Sequence, residues 1–452
     1  MAIIDPSHDP SGQWLDRFLK VGNPGVFRWF HHRHYLDGEP PLELMAVCVP
    51  GSKPSERHLV VVTDRCLELE DWVRDGKLDA SGLGELSERV GSPVVALNGP
   101  WRLAPVSIAK PWGREIWYTG IEQRGQSLVT DGRRSVPLPW LLSMAPWRLL
   151  VEGAREPALL KILDPLPEEV FGDLYFELHE QKREVYVVTH VDRDAWPDGR
   201  GAIRFGFDQD RRRDYGSDQA FREAFLKAVT RYERVRRAID QLCDQCRADA
   251  GIAANAPVDA VTLKGWLATV PGTLRVEEHE ARMAMNRFTH MLPLAVGDVV
   301  KVPCLTPHAL QHGVRTVEFQ TPVYERKILS FAQKVLTQDH WDTAQACQMM
   351  SLDAGGLETL LLLEEGADYR LEQVVMFSDF EVRRLTIHPG ARWESSPRGR
   401  YCILMVVAGE PLVGGQPCGP EEALLVPGSS DSVVVEAPAP GEPAVVLICL
   451  PC

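Results

Sequence analysis

Phe176-Glu177-Leu178-His179-Glu180-Gln181-Lys182-Arg183-Glu184-Val185-Tyr186-Val187 consists of two runs of alternating character joined by four polar residues. Successive side chains of a strand point to opposite faces, so Glu177 and His179 share one face and Phe176 and Leu178 the other. Four polar residues suffice for a tight hairpin loop. A loop over Glu180 to Arg183 makes His179 and Glu184 cross-strand neighbours, with Cβ atoms about 5 Å apart. Glu177 then stands diagonally behind them. Two carboxylates and one imidazole converge from a single hairpin.

A second imidazole lies further along, in Thr306-Pro307-His308-Ala309-Leu310, after a strand led by Gly297-Asp298. Imidazoles with carboxylates suit zinc, manganese, iron or nickel, with a position left open for water or substrate. The plainer alternative is a surface hairpin with an ordinary charge pair. The stretch Gly297-Asp298-Val299-Val300-Lys301-Val302-Pro303 has an echo in Glu421-Glu422-Ala423-Leu424-Leu425-Val426-Pro427. Aligned on Val-Pro, His308 falls opposite Ser432, so the second copy of the β-unit has lost its imidazole.

Outward from this centre the chain is mostly β. Short β-runs broken by Pro and Gly fill Lys110 to His190, in the pattern of a sandwich or barrel. Asp218 to Ala250 is a helix, because Phe221, Phe225, Val229, Tyr232, Val235 and Ile239 recur at three and four. A second helical stretch contains Val258 to Leu267. The β-pattern resumes at Leu292 to Pro322, a further helical zone spans about Lys327 to Met350, and Val374 to Cys452 is again all β. Residues 1–105 read as a mixed α+β unit. Its Phe30-His31-His32-Arg33-His34 run is explained by alternation in a half-exposed strand. Trp112, Trp117, Trp140 and Trp147 read as β-core rather than as a sugar-stacking platform. His312 reads as a turn residue, and His388 precedes Pro389-Gly390 in the imidazole-poor tail.

Of the 452 residues, 44% are hydrophobic and 25% charged, so a substantial core is expected and wholesale disorder is not. A net charge of −14 argues against nucleic acid or an anionic membrane as the main partner. Met1 to Gly12 has no basic region followed by an apolar run, and no apolar run approaches the ~20 residues that span a bilayer. A cytoplasmic location and reduced cysteines are therefore expected. Cys243 with Cys246 and Cys449 with Cys452 imitate halves of a four-cysteine zinc site, but the first pair sits in a helix and the pairs are far apart in sequence.

The set His179, Lys182-Arg183-Glu184-Val185-Tyr186-Val187-Val188 and Gly201-Ala202-Ile203-Arg204-Phe205-Gly206-Phe207 resembles the first cupin hairpins of type I mannose-6-phosphate isomerases. Gly297-Asp298 to Val302-Pro303, Thr306-Pro307-His308-Ala309-Leu310, Val317-Glu318-Phe319-Gln320 and Tyr324-Glu325-Arg326 resemble that family's second metal-binding strand and its arginine. The resemblance covers roughly residues 105 to 452. It implies a mainly β fold with a helical insertion: two cupin-type β-sandwich or barrel domains, one metal-binding and one degenerate, besides the N-terminal α+β unit. The implied boundaries are 106–214 with 288–335 for the metal-binding cupin, 215–287 for the insertion, 336–373 for a helical connector and 374–452 for the metal-free cupin.

Carried over by position, the resemblance implies one divalent metal ion, most readily zinc, held by Glu177, His179, Glu184 and His308. Lys182 and Arg326 fall on the family's active-site lysine and arginine. Glu318, in phase with Gln320, is the candidate base. This sequence departs from the family in three places: Glu177 replaces a usual Gln, the loop between His179 and Glu184 is shorter, and residues 1–105 have no counterpart. The implied activity is aldose–ketose isomerisation of a sugar phosphate, mannose 6-phosphate to fructose 6-phosphate. The alternatives are a non-catalytic or regulatory sugar-binding cupin that contacts a protein partner through residues 1–105, and another metal enzyme such as an oxygenase.

Overall fold

The computed structural model describes residues 3–9, 11–51 and 58–452; residues 1, 2 and 10, part of the stretch read for an export signal, lie outside it. The chain forms two units. One contains Ser107–Ile116 and Ile162–Thr359, and the other contains the described residues up to Val106, Trp117–Lys161 and Leu360–Cys452.

The first unit is built on two sheets. Its strands are β1 (Val106–Lys110), β2 (Gly113–Trp117), β3 (Leu159–Pro165), β4 (Phe176–Leu178), β5 (Glu184–Val191) and β6 (Gly201–Phe207). After the short helix Gln209–Arg213, three longer helices follow: α1 (Asp218–Asp249), α2 (Ala260–Thr269) and α3 (Gly272–Asn286). The remaining strands are β7 (Thr289–Leu294), β8 (Val299–Val302), β9 (His308–Leu310), β10 (Val314–Gln320) and β11 (Lys327–Ser330). One sheet has the order β8-β5-β10-β3-β2-β1 and the other β7-β6-β9-β4-β11.

β5 and β10 are rich in Val, Phe, Thr and Tyr, which pack well on a pleated surface. They pair antiparallel, with Glu184 opposite Gln320 and Tyr186 opposite Glu318, so all four share one face. β4 is three residues long and gains its hydrogen bonds from distant strands. Glu177 lies opposite His308 of β9, and Phe176 opposite Ser330 of β11.

The hairpin expected at Glu180–Arg183 does not form. β4 belongs to one sheet and β5 to the other, so the four residues carry the chain between layers. Alternation alone cannot distinguish a return to the same sheet from a step to the facing one, because both turn Glu177, His179 and Glu184 toward a common interior.

The helices are inserted between β6 and β7. Ser217 caps α1 by accepting the Ala220 N–H. Its apolar stripe, Phe221, Phe225, Val229 and Tyr232, is fully buried, and Phe225 packs edge-on against Phe207 and Phe176 of the sheet. Each such side chain contributes roughly 1.5–3 kcal/mol of transfer free energy. The opposite face of the sheet joins Tyr186, Val188, Val300 and Val302 in the same core.

The helical zone expected over 327–350 is corrected. Lys327–Ser330 is a strand, and helix is confined to Thr343–Met349. The apolar spacing there fits either element, and pairing with β4 decides it. The connector expected over 336–373 likewise contains the strand Leu361–Glu365 and the start of Tyr369–Met376.

In the second unit, a five-stranded sheet runs Ile3–Ile4, Gly25–His31, Leu42–Pro50, His58–Thr63, Val95–Ala96. Helices Cys66–Asp75 and Ala80–Val90 cover it through Leu69, Leu83 and Leu86. A nine-stranded sheet carries the C-terminal strands, but three of its members come from before residue 138: Trp101–Ala104, Leu128–Thr130 and Ser135–Pro137. Trp101 pairs with Leu425 and Arg102 with Leu424. The boundary expected at 105/106 therefore does not separate these strands from the C-terminal domain. Pairing across more than three hundred residues leaves no local trace in the chain.

The architecture is mainly β with a helical insertion, and its sheets are open sandwiches. Among the described residues no helix is long and apolar enough to cross a membrane.

Candidate metal centre

Between the two sheets of the first unit, His179, Glu184 and His308 converge, with one ligand atom from each within 4.8 Å of the others. Their side chains are 1%, 2% and 3% exposed. His179 Nε2 lies 3.4 Å from Glu184 Oε1, and His308 Nε2 lies 3.1 Å from Glu184 Oε2. Each imidazole is oriented from behind by a backbone carbonyl: His179 Nδ1 donates to Glu325 O at 2.8 Å and His308 Nδ1 to Thr306 O at 3.1 Å. A carbonyl can only accept, so Nδ1 carries a proton in both rings; the His179 Nε2 turns a lone pair inward, while the His308 Nε2 is in hydrogen-bond contact with Glu184 Oε2.

Electrostatics keep His179 and Glu184 in their ligating forms. Burial pushes the His179 imidazole down and the Lys182 ammonium adds to this, so the ring is neutral around pH 7. Burial raises Glu184, but the Lys182 ammonium outweighs it and holds the carboxyl well below its ordinary range. Lys182 Nζ is 2.7 Å from Glu184 Oε1. Tyr186 donates to Glu184 Oε2 at 2.7 Å. Burial, then the charges of Glu184 and Glu318, keep that phenol protonated far above neutrality.

Glu177 stands at the rim. Its Oε1 is 3.9 Å from His179 Nε2, and its Oε2 is 3.5 Å from Arg326. Burial raises Glu177, and Arg326 more than offsets it. It falls outside the tight group of three. Arg326 stacks 4.7 Å above the Tyr175 ring and donates to Thr337 Oγ1 at 2.6 Å. Glu318 is buried on β10, on the face shared with Tyr186 and Glu184.

The residues fit a divalent ion. The Nε2 atom of His179 is buried and makes no hydrogen bond, which is costly for a polar atom unless a ligand takes the lone pair. Two imidazoles and a carboxylate form a donor set that zinc accepts readily. The four cysteines considered for a zinc site are no part of any such group among the described residues, and all ten cysteines are free. His31 is hydrogen-bonded to Tyr35 and His34 to Glu156, so the imidazole-rich run forms no metal group either. His312 pairs with Asp173 at 2.7 Å and stacks on Trp196.

Three residues important to this geometry had been given no role. Tyr186 was legible, since it lies two residues beyond Glu184 on the same strand and must share its face. Tyr175 precedes β4, but nothing in its spacing marks it as the platform for Arg326. Glu325 acts through its backbone carbonyl and by accepting loop amides, which side-chain pattern does not reveal.

Such a fold defines a class: a β-sandwich with helices inserted between two of its strands. Crystal structures of mannose 6-phosphate isomerases share that fold. The enzyme from Bacillus subtilis superposes with a TM-score of 0.51 at 16% identity, covering 77% of this chain and 99% of that one. A variant of the phosphomannose isomerase from Salmonella typhimurium does so with a TM-score of 0.50 at 13% identity and the same coverage. No protein-family model matches this chain, and no curated protein matches it by sequence.

Proposed function

We propose that this protein is a metal-dependent aldose–ketose isomerase acting on a sugar phosphate, with mannose 6-phosphate and fructose 6-phosphate as the substrate pair and zinc as the ion. The observation that carries this reading is the bare, buried Nε2 of His179 beside Glu184 and His308, with Lys182 and Arg326 at the same centre. The shared fold supports it.

The reaction moves a proton from C2 to C1 and a hydroxyl proton from O2 to O1 through a cis-enediol. An ion held by His179, Glu184 and His308, with Glu177 adjacent, would supply Lewis acidity where negative charge develops on those oxygens. Arg326 presents a planar, permanently charged fork suited to two oxygens of the enediolate or of the phosphate. Lys182 offers a point charge to the ring oxygen or the phosphate. Glu318 carries the proton between the carbons. Tyr186 fixes the Glu184 carboxylate so that it cannot swing away.

A second reading, a sugar-binding cupin without turnover that meets a partner through residues 1–105, is favoured by one observation. Lys182 is committed to Glu184, and Arg326 to Glu177 and Thr337, rather than projecting freely.

A coupled assay of mannose 6-phosphate conversion, on protein of measured metal content, separates the two. Turnover abolished by chelator and by Arg326→Ala establishes the isomerase. A fully metal-loaded protein without turnover rejects it in favour of ligand binding.

A further inference from the structure

A cavity of about 320 Å³ lies inside the helical insertion, away from the metal centre, between α1, α2, α3 and residues 332–336. This is the size range of small-molecule sites. Ile239, Leu263 and Leu267 give it an apolar wall. The polar groups around it are not balanced. Arg236 and Asp240 form a closed pair at 2.9 Å. Asp244 is taken by Lys334 at 2.6 Å and lies 3.8 Å from Arg247 Nε, beyond hydrogen-bond reach.

The Arg247 Nε–H is consequently buried without an acceptor, although its guanidinium is held in place over the Trp266 ring at 5.6 Å. Arg275, exposed at the edge, has no side-chain partner among the described residues. Arg247 and Arg275 therefore line an apolar hollow in which Asp240, Asp244 and Glu278 are already paired, the last with Arg282 at 3.3 Å, and Glu169 is the one further lining carboxylate, in a protein whose net charge is −14. An acceptor left unmade at a buried donor is expensive, and a bound acid group would supply it.

We infer that this cavity is a binding site for a small organic anion, with an acid group against Arg247 and Arg275 and an apolar, aromatic or branched body against Ile239, Leu263 and Leu267. It is independent of the metal centre and of the isomerase reading.

The probe is anilinonaphthalenesulfonate, whose fluorescence rises in an apolar site, compared with its uncharged analogue N-phenylnaphthylamine. Full-length protein is titrated with each, alongside Arg275→Glu and Leu263→Gln variants shown to be folded by circular dichroism. The expected result is one saturable sulfonate site per chain, weakened about tenfold or more in each variant, with the uncharged analogue binding about tenfold less tightly. Absence of a saturable site, equal binding in the variants, or equal binding of the uncharged analogue would each overturn the proposal.

Discussion

Glu325 holds His179 from two directions. Its backbone oxygen accepts the His179 Nδ1 proton at 2.8 Å, while its carboxylate accepts the N–H groups of Glu180 at 2.8 Å and Gln181 at 3.1 Å. One residue therefore orients the imidazole and clamps the loop that begins immediately after it.

Glu325→Ala keeps the carbonyl but frees the loop amides. Zinc affinity of the metal-stripped protein, followed by titration calorimetry, is expected to fall by about tenfold or more, the usual range for groups that orient a ligand. An unchanged affinity would show that the loop is held without the clamp.

The ligands themselves are expected to rank. His179→Ala and His308→Ala each remove a nitrogen from the group of three and should abolish stoichiometric metal content. Glu177→Gln should retain it, since Glu177 lies at the rim, 3.9 Å from His179 Nε2, and is already paired with Arg326. Elemental analysis of the three purified variants checks the ranking, and equal losses would place Glu177 within the primary set.

Tyr186→Phe deletes a buried hydroxyl that donates to an ionised carboxylate. The cost in unfolding free energy should be about 1.5–3 kcal/mol, the range for hydrogen bonds to charged groups. Urea denaturation of the metal-stripped protein measures it without a contribution from the ion.

Asp164 on β3 bridges Arg114 of β2 at 2.7 Å and Arg315 of β10 at 2.5 Å, tying three neighbouring strands. Burial raises its carboxyl, but Arg315 and Arg114 outweigh this and hold it below the ordinary value of about 4. The unfolded chain thus takes up the proton first as pH falls. The stabilisation is complete above pH about 4 and disappears below it as the folded carboxyl titrates. Asp164→Asn should be destabilised at pH 7 and lose that disadvantage at low pH. Denaturation midpoints against pH would show the two curves converging; parallel curves would mean that the charge of Asp164 contributes nothing.

What was readable in the chain follows the range of the forces involved. Strand alternation set Glu177 and His179 on one face, and helical periodicity marked Phe221, Phe225 and Val229 as the buried stripe of α1. Both are local. The destination of β4 was not local: its partners His308 and Ser330 lie more than 130 residues away, and the expected hairpin gave way to a crossing between sheets. The strand at Lys327–Ser330 was mistaken for helix for the same reason, and Trp101–Ala104 gave no hint of its pairing with Ala423–Val426. The grouping of His179, Glu184 and His308 was therefore more legible than the scaffold that supports it, because these residues are carried by short segments of marked pattern.

The passage of Glu180–Arg183 from one layer to the other has a mechanical consequence. An ion held by His179 and His308 on the side of one sheet and by Glu184 on the other would act as a rivet through the sandwich, closing a ring that includes the four-residue bridge. Adding or removing it would change how freely the layers slide, without altering the hydrogen bonds inside either. The amides that register its presence most sharply would belong to the bridge and to the strand ends beside it, while the middle of each sheet exchanges its protons at an unchanged pace.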